Sequence, residues 1–136
     1  MLEVRGLTLW PGGKSDPLIR DVSFSISPGE RVGVVGESGC GKTMTGLAIL
    51  RLLPMRKAKL AGQICFLGRD LLALTEREMR SVRGSDIAMI FQEPMSALDP
   101  VFTVGEQIAE AYRAHRGAGR AEARGRAIEA LSLIHI

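Results

Sequence analysis

The sequence is poor in cysteine, in aromatic side chains and in long apolar runs. Only two of its 136 residues are cysteines, and aromatic residues make up 4%. Cys40 lies in a glycine-rich loop and Cys65 in an apolar stretch, so we expect no structural disulfide and a reducing compartment. The most apolar helical stretch, 44–55, is interrupted by Arg51 and Pro54, whereas a membrane span needs about 20 apolar residues. The sequence therefore predicts a soluble chain that reaches a membrane only through a partner.

Features of a signal peptide and a strong charge excess are also missing. Residues 1–5 include an acid and no apolar region follows them, which argues against a signal peptide. Lys and Arg number 18 against 15 Asp and Glu, a net charge of +3, and most of the excess lies in 113–126. That basic segment could meet nucleic acid or an acidic membrane surface. Because glutamates are interspersed there, we prefer a solvated helix face.

Two kinds of strand are predicted. Residues 2–10 and 18–26 alternate between apolar and polar side chains, which is typical of strands with one wet face. The runs 31–35 and 87–91 are dominated by apolar residues, which favours strands buried on both faces of a parallel sheet. A further strand is predicted over 63–67.

Helices are predicted between these strands. Two of them follow a threonine that has a glutamate three residues later, the pattern of a capping box. The predicted helices are 42 to about 53, 76–82, 103 to about 115, and about 120 onward. A buried strand, a glycine loop, a helix and a second buried strand indicate an α/β layered fold, with the early alternating strands added as an antiparallel part.

Residues 36–43 form a glycine-rich loop with the spacing G-x-x-x-x-G-K-[ST]. Its members are Gly36, Glu37, Ser38, Gly39, Cys40, Gly41, Lys42 and Thr43. Glycine lets the backbone turn tightly enough for N–H groups to surround a phosphate, and the following helix points further N–H groups at it. In that arrangement Lys42 reaches the β- and γ-phosphates of ATP, and the Thr43 hydroxyl binds Mg²⁺.

Other interpretations of this loop are less economical. A glycine-rich turn without a ligand has no reason to lie between a buried strand and a helix, which is the context that phosphate binding requires. Cys40, beside Lys42, is either a reactive thiol or a small residue tolerated at a variable position, and we prefer the second.

The loop and a second segment resemble one family. The loop 36–43, with the turn Ser27-Pro28-Gly29-Glu30 ahead of it, looks like the Walker A region of ATP-binding cassette (ABC) transporter subunits. Residues 90–100 (IFQEPMSALDP) and 103–108 (TVGEQI) resemble the Q-loop region of the branch that imports oligopeptides, dipeptides and nickel. The Q-loop is the more specific match, because other phosphate-loop enzymes lack it.

The resemblance implies a fold, ligands and residue roles. The fold would be an α/β P-loop NTPase core of the ABC ATPase type with an antiparallel β subdomain. ATP and Mg²⁺ would be the cofactors, and Gln92 would position the attacking water and contact Mg²⁺ together with Thr43. Trp10 is the only tryptophan. It is either the aromatic residue that stacks on adenine or an exposed ring beside Pro11.

The resemblance also implies partners and a location. Transmembrane permease subunits would be contacted through the Q-loop region, and a second ATP-binding subunit would complete a homodimer or heterodimer. An extracytoplasmic solute-binding protein would act indirectly, and no nucleic acid would bind. The chain would lie at the cytoplasmic face of the cell membrane and energise the import of peptides or a related small solute.

The resemblance covers about residues 1–130, the N-terminal part of one ATP-binding domain. The signature loop, the Walker B aspartate with its catalytic glutamate, and the switch histidine do not occur in the sequence. We therefore expect no ATP turnover by these residues alone. Residues 131–136 (LSLIHI) depart from the resemblance and are similar to the translation of a transposon-end sequencing adapter. We expect this tail to be non-native, and genomic sequence that continues in frame would contradict it.

Two other classes of phosphate-loop protein fit less well. A DNA-repair or chromosome-maintenance ATPase would suit the basic segment 113–126, but such proteins continue into long coiled coils and no heptad pattern occurs here. A small-molecule kinase or a GTPase would need a lid or a base-recognition motif where residues 91–94 stand. Salt-sensitive DNA binding would favour the first class, and phosphate transfer to a small acceptor would favour the second.

Overall fold

A computed structural model describes residues 1–12, 14–55, 57–93 and 97–132. The chain divides into two compact units, Met1–Arg83 and Gly84–Ile136. The elements of the first unit are β1 (Leu2–Trp10), β2 (Ile19–Ile26), α1 (Lys42–Ile49), β3 (Lys59–Phe66), β4 (Arg69–Asp70) and α2 (Glu76–Val82). The helices of the second unit are α3 (Val104–Arg116) and α4 (Arg120–Ser132). In the described part of the chain, no helix combines the length and the apolarity needed to cross a bilayer.

The first unit is built on a four-stranded antiparallel sheet with the order β2-β1-β3-β4. β1 lies in the interior of the sheet, and Val4 pairs with Phe24 on one side and with Ile64 on the other. Val4, Leu7 and Ile64 are at most 1% exposed and form part of the apolar core. The predicted antiparallel part of the fold is confirmed.

A β-bulge interrupts β1 between Arg5 and Thr8. Over this interval β1 advances by three residues while β3 advances from Gln63 to Ala61, by two. A Cβ atom at Gly62 would lie 2.5 Å from the carbonyl oxygens of both Arg5 and Gly6, so only glycine allows the strands to approach this closely. The extra residue shifts the inward-facing positions of β1 by one. Leu7 and Leu9 therefore face the core on the same side as Val4.

α1 ends earlier than the sequence predicts. The Arg51 N–H donates to Ala48 O (3.0 Å) and the Leu52 N–H donates to Leu47 O (2.8 Å), which is the hydrogen-bond pattern of a Schellman motif. Arg51 takes the left-handed position of this motif with φ +53°. The predicted helix to residue 53 was too long because it relied on Pro54 as the stop signal, whereas the chain already turns at Arg51.

The predicted buried strands 31–35 and 87–91 are wrong for the described chain. Neither run belongs to a strand, and Val35 and Ile90 are each 92% exposed. A central strand needs hydrogen-bonding neighbours and helices that cover its faces. No strand among the described residues pairs with either run, so 31–35 is exposed throughout, and in 87–91 only Ile87 and Met89 are half-buried.

Both predicted capping boxes are present. The hydroxyls of Thr75 and Thr103 accept hydrogen bonds from the N–H groups of Glu78 and Glu106, whose carboxylates bond back to the threonines. These hydrogen bonds lower the pKa of the Glu78 and Glu106 carboxyl groups. The bond from the threonine hydroxyl has the larger effect, and the bond from the threonine N–H has the smaller one.

The second unit contains the packed helices α3 and α4, with Ala123 and Ala127 buried. α4 begins at Arg120, as predicted, and ends at Ser132. Of the predicted non-native tail, Leu131 and Ser132 thus belong to α4, and residues 133–136 lie outside the described residues.

Candidate functional site

The glycine-rich loop 36–41 runs directly into α1 and is seated on β2. Gly39 and Gly41 have φ +82° and +98°, values that glycine adopts without steric cost. A Cβ atom at Gly41 would lie 3.2 Å from Ile19 Cγ1 and 3.6 Å from Leu18 O. The end of the loop at Gly41 therefore lies against the start of β2, while residues 36–40 are exposed.

The N-terminus of α1 carries no protein cap. Gly41 stands at the N-cap, no side chain of the residues that the structure describes caps the first turn, and that turn contains no acidic residue. The N–H groups of Lys42, Thr43 and Met44 have no acceptor within the helix, because their i−4 carbonyls precede it. In contrast, α2 and α3 both begin with a capping box. The positive end of α1 is thus left available to an anion.

Lys42 folds back over the loop. Its Nζ donates to Gly36 O (2.8 Å) and to Glu37 O (2.7 Å), and lies 3.7 Å from Cys40 Sγ. The ammonium group is therefore held against the loop by two of the loop's own carbonyl oxygens. A phosphate oxygen carries a full negative charge and attracts the ammonium more strongly than these neutral carbonyls do.

The predicted metal ligands fall in different units. Thr43 is exposed in the first turn of α1 and offers a hydroxyl oxygen of the kind that Mg²⁺ accepts beside phosphate oxygens. Gln92 is exposed in the second unit, after the run 87–91. Each residue therefore offers an oxygen atom, the kind of ligand that Mg²⁺ prefers.

Trp10 lines a cavity at the end of β1 in the first unit. The cavity has a volume of about 560 Å³ and is lined by Trp10, Pro11, Lys14, Ser15, Lys57, Lys59 and Leu60. These lining residues do not include the loop 36–43. The neighbouring Leu9 pairs with Ile19, the residue behind Gly41, so the end of β1 lies close to the loop. Because successive strand residues point to opposite faces, the Trp10 side chain starts from the face opposite Leu9.

The two cysteines are free. Cys40 is exposed and Cys65 is half-buried. The Cys40 sulfur lies 2.7 Å from the position that a Cβ atom at Gly36 would take, so the loop closes tightly between these two residues.

The segment after the Q-loop is held by a glutamine that sequence reasoning missed. Gln107 accepts from the Asp99 N–H through Oε1 (2.9 Å) and donates through Nε2 to Asp99 O (2.9 Å) and Phe102 O (3.0 Å). Val101 and Phe102, in the turn held this way, are 81% and 57% exposed. Residues 94–96 of the predicted Q-loop lie outside the described residues.

Two arginines at the far end of α1 were also missed. Arg83 Nε donates to Leu50 O (2.7 Å) and Nη2 donates to Arg51 O (3.2 Å). Arg51 Nη1 donates to Leu71 O (3.2 Å) and Leu74 O (2.6 Å). Because Arg83 acts across more than thirty residues of chain, no local spacing in the sequence could have revealed this contact.

Residues 19–136 match the ABC transporter family. The chain belongs to this family. The loop 36–43 described above is therefore part of an ABC transporter family chain. The family predicted from the Walker A and Q-loop residues is confirmed.

Curated ABC relatives cover most of the chain. A probable peptide ABC transporter ATP-binding protein of Sinorhizobium fredii is 57% identical over 116 residues, which are 85% of this chain and 35% of that protein. The dipeptide transport ATP-binding protein DppD of Bacillus subtilis is 47% identical over 119 residues, 87% of this chain and 36% of that protein. A peptidoglycan transport ATP-binding protein of Agrobacterium fabrum is 46% identical, covering 100% of this chain and 26% of its own length. The chain thus spans 26–36% of these relatives.

A solved ABC structure shares the fold. The ATP-binding cassette MJ0796, in a dimeric post-hydrolysis state bound to ADP and Pi, superposes with a TM-score of 0.74. The match covers 100% of this chain and 58% of that chain at 24% identity. The predicted ABC ATPase fold is therefore confirmed.

Proposed function

We propose that this chain binds MgATP at the loop 36–43 and forms part of an ABC subunit that hydrolyses ATP to energise solute import. The observation that carries the proposal is the uncapped N-terminus of α1, with the Lys42 ammonium held over the loop that precedes it. Gly39 and Gly41 supply the left-handed backbone turns, and no acidic side chain of the first turn competes with an anion. An anionic polyphosphate complements this arrangement better than any neutral ligand does.

Each residue of the site has a proposed task. The backbone N–H groups of Gly39 and of 41–43 bind the phosphates, Lys42 offsets their charge, and the Thr43 hydroxyl helps to hold Mg²⁺. Mg²⁺, when bound, neutralises charge on the phosphate oxygens. Gln92 follows the run 87–91, which we expect to be a strand in a complete subunit, and ligands of open α/β sheets bind beyond the carboxyl ends of strands. We assign it the orientation of the attacking water.

The names of the relatives support a peptide or a related small solute as cargo. Two of those reported above are named for peptide or dipeptide transport and one for peptidoglycan transport. We propose that the chain works at the cytoplasmic face of the membrane, paired with a second ATP-binding subunit and served indirectly by an extracytoplasmic solute-binding protein. We assign residues 1–130 to one ATP-binding domain and keep the non-native origin of 131–136 as a prediction.

The turn after the Q-loop supports a permease partner. Val101, Phe102 and Val104 expose apolar side chains (81%, 57% and 44%), and Gln107 fixes the backbone that carries the first two. A fixed apolar surface of this kind suits a membrane subunit that buries it. The DNA-repair and kinase alternatives gain no support from the relatives.

Substitution of Lys42 tests the proposed nucleotide site. In a complete ABC subunit that contains this chain, Lys42→Ala should weaken MgATP binding about 10- to 100-fold, since a charge-assisted bond contributes about 1.5–3 kcal/mol. The measurement is calorimetric titration of the purified subunit with MgATP. Arg77→Ala, an exposed residue of α2, removes the same charge elsewhere and should bind normally. Equal affinity of the Lys42→Ala variant and the wild type would refute the proposed site.

A further inference from the structure

We propose that Arg83 is a positioning residue of the nucleotide site, which acts through α1 on Lys42 and Thr43. The inference rests on the proposed function and deepens it. Arg83 does not belong to the loop 36–43 and touches the opposite end of the helix that the loop begins.

The Arg83 guanidinium closes the C-terminal end of α1. Nε and Nη2 donate to the carbonyls of Leu50 and Arg51 at 2.7 Å and 3.2 Å. Leu50 is the C-cap of α1 and Arg51 follows it, so both carbonyls lie where the chain leaves the helix and need a donor from outside it. Nη1 also pairs with Glu76 at 2.5 Å, and the Arg83 side chain is only 18% exposed. The Arg83 guanidinium is thus held by two carbonyls and by the Glu76 carboxylate.

Arg51 completes the same end. Its left-handed backbone, φ +53°, is a conformation usually taken by glycine. Its guanidinium donates to Leu71 O and Leu74 O, so the tight turn after α1 is tied to the segment that leads into α2. Arg83, which follows α2, then joins that segment back to the helix end.

The short length of α1 makes its far end matter. The helix has eight residues, which is about 12 Å at 1.5 Å per residue. Helices this short are marginal without tertiary contacts. Its N-terminus has no capping side chain among the described residues, so the helix is held by the packing of Leu47 and Ala48 and by the contacts at its C-terminus. Loosening that end should misalign the first-turn amides and Lys42.

The bonding pattern requires arginine in particular. Two parallel donors reach two successive carbonyls while a third nitrogen pairs with a carboxylate. Lysine offers a single ammonium point that cannot span the three acceptors. Its positive charge would still favour the negative end of the helix dipole. Arg83→Lys should therefore keep part of the effect that Arg83→Met loses.

The test compares affinity with stability in a complete ABC subunit that contains this chain. MgATP affinity is titrated below the melting temperature of each variant, and melting is measured without nucleotide. We expect Arg83→Met to weaken MgATP binding about 5- to 20-fold and Arg83→Lys to lie between it and the wild type. Arg80→Met removes the same charge from the exposed last turn of α2 and should bind normally. Ile64→Val trims the buried core and should lower the melting temperature without changing affinity.

The outcomes separate this inference from the proposed function. If Lys42→Ala binds normally, the nucleotide site itself is misassigned. If Lys42→Ala weakens binding while Arg83→Met stays within twofold of the wild type, only the role of Arg83 is refuted. A fall in melting temperature with unchanged affinity would show a purely structural role. If Arg83→Met does not fold, Arg83→Lys decides in its place, and wild-type affinity of that variant overturns the inference.

Discussion

Lys42 and Arg83 are cations at opposite ends of one eight-residue helix. Lys42 lies at the positive end, where an ammonium is unfavourable unless an anion joins it, and Arg83 lies at the negative end, where a cation is favoured. The first placement is partly offset by the two loop carbonyls that accept from Lys42, and a bound anion would offset it further. The second placement stabilises the helix whatever is bound.

Trp10 offers a prediction at the scale of one residue. If its ring stacks on adenine, Trp10→Ala should weaken MgATP binding about 5- to 100-fold, because stacking contributes about 1–3 kcal/mol per base. Binding of magnesium tripolyphosphate, which has no base, should not change. Titration of a complete subunit with both ligands makes the comparison.

A second variant serves as the control for the ring. Trp10→Phe keeps an aromatic face and should retain most of the affinity for MgATP. If Trp10→Ala binds both ligands like the wild type, then Trp10 only lines the cavity that it shares with three lysines. That outcome would agree with the side chain of Trp10 leaving β1 on the face opposite Leu9.

At the scale of elements, the capping boxes predict a dependence on acidity. The Thr103 hydroxyl and N–H lower the pKa of the Glu106 carboxyl from its ordinary value of 4.5. A pKa that is lower in the folded state stabilises the fold above the unfolded value, and this contribution is lost as the pH falls through the folded value. Glu106→Gln keeps an acceptor at every pH. The melting temperature of the wild type should therefore exceed that of this variant by less and less as the pH falls below 4.5.

The matched control lies on the same helix. Glu110→Gln changes an exposed glutamate of α3. Its melting difference from the wild type should stay smaller across the same acid range. A Glu106→Gln difference that grows on acidification would contradict the assigned direction of the pKa shift.

Elements with local causes were predictable from the sequence. The boxes at Thr75 and Thr103 act across three residues, and both helices begin where the pattern indicates. The end of α1 was missed because it depends on a left-handed conformation of Arg51. Arginine rarely adopts this conformation, so its presence in the sequence gives no signal of a helix end. The loop 36–43 could be recognised as a candidate phosphate site because its pattern is contained in eight consecutive residues, and its role stays a prediction.

Elements with distant causes were not predictable. Residues 31–35 have the composition of a buried strand, yet composition cannot state whether a partner strand is present. Arg83 reaches Leu50 from 33 residues away. Such contacts follow from the whole arrangement of the chain and leave no local pattern.

At the scale of the whole molecule, the unpaired runs predict a difference in protection. In a complete subunit we expect 31–35 and 87–91 to join a central sheet, since the match covers only 35% and 36% of the length of two of the relatives. Their amides should then exchange with deuterium about 100-fold more slowly than those of an open loop. The measurement is hydrogen exchange read by mass spectrometry.

Two internal references bracket that measurement. β1, which is paired on both sides, should be protected, and the exposed loop 36–40 should exchange quickly without nucleotide. Exchange of 31–35 at the rate of 36–40 would show that this run stays outside any sheet.

The surplus residue in β1 limits how the chain can vary in length. Loss of Gly6 would leave Val4, Leu7 and Leu9 at even intervals, and all three would keep facing inward. Loss of Thr8 would make Leu7 and Leu9 immediate neighbours and turn one of them toward water. Deletions two positions apart therefore have opposite consequences, and related chains should shorten this strand only at the bulge.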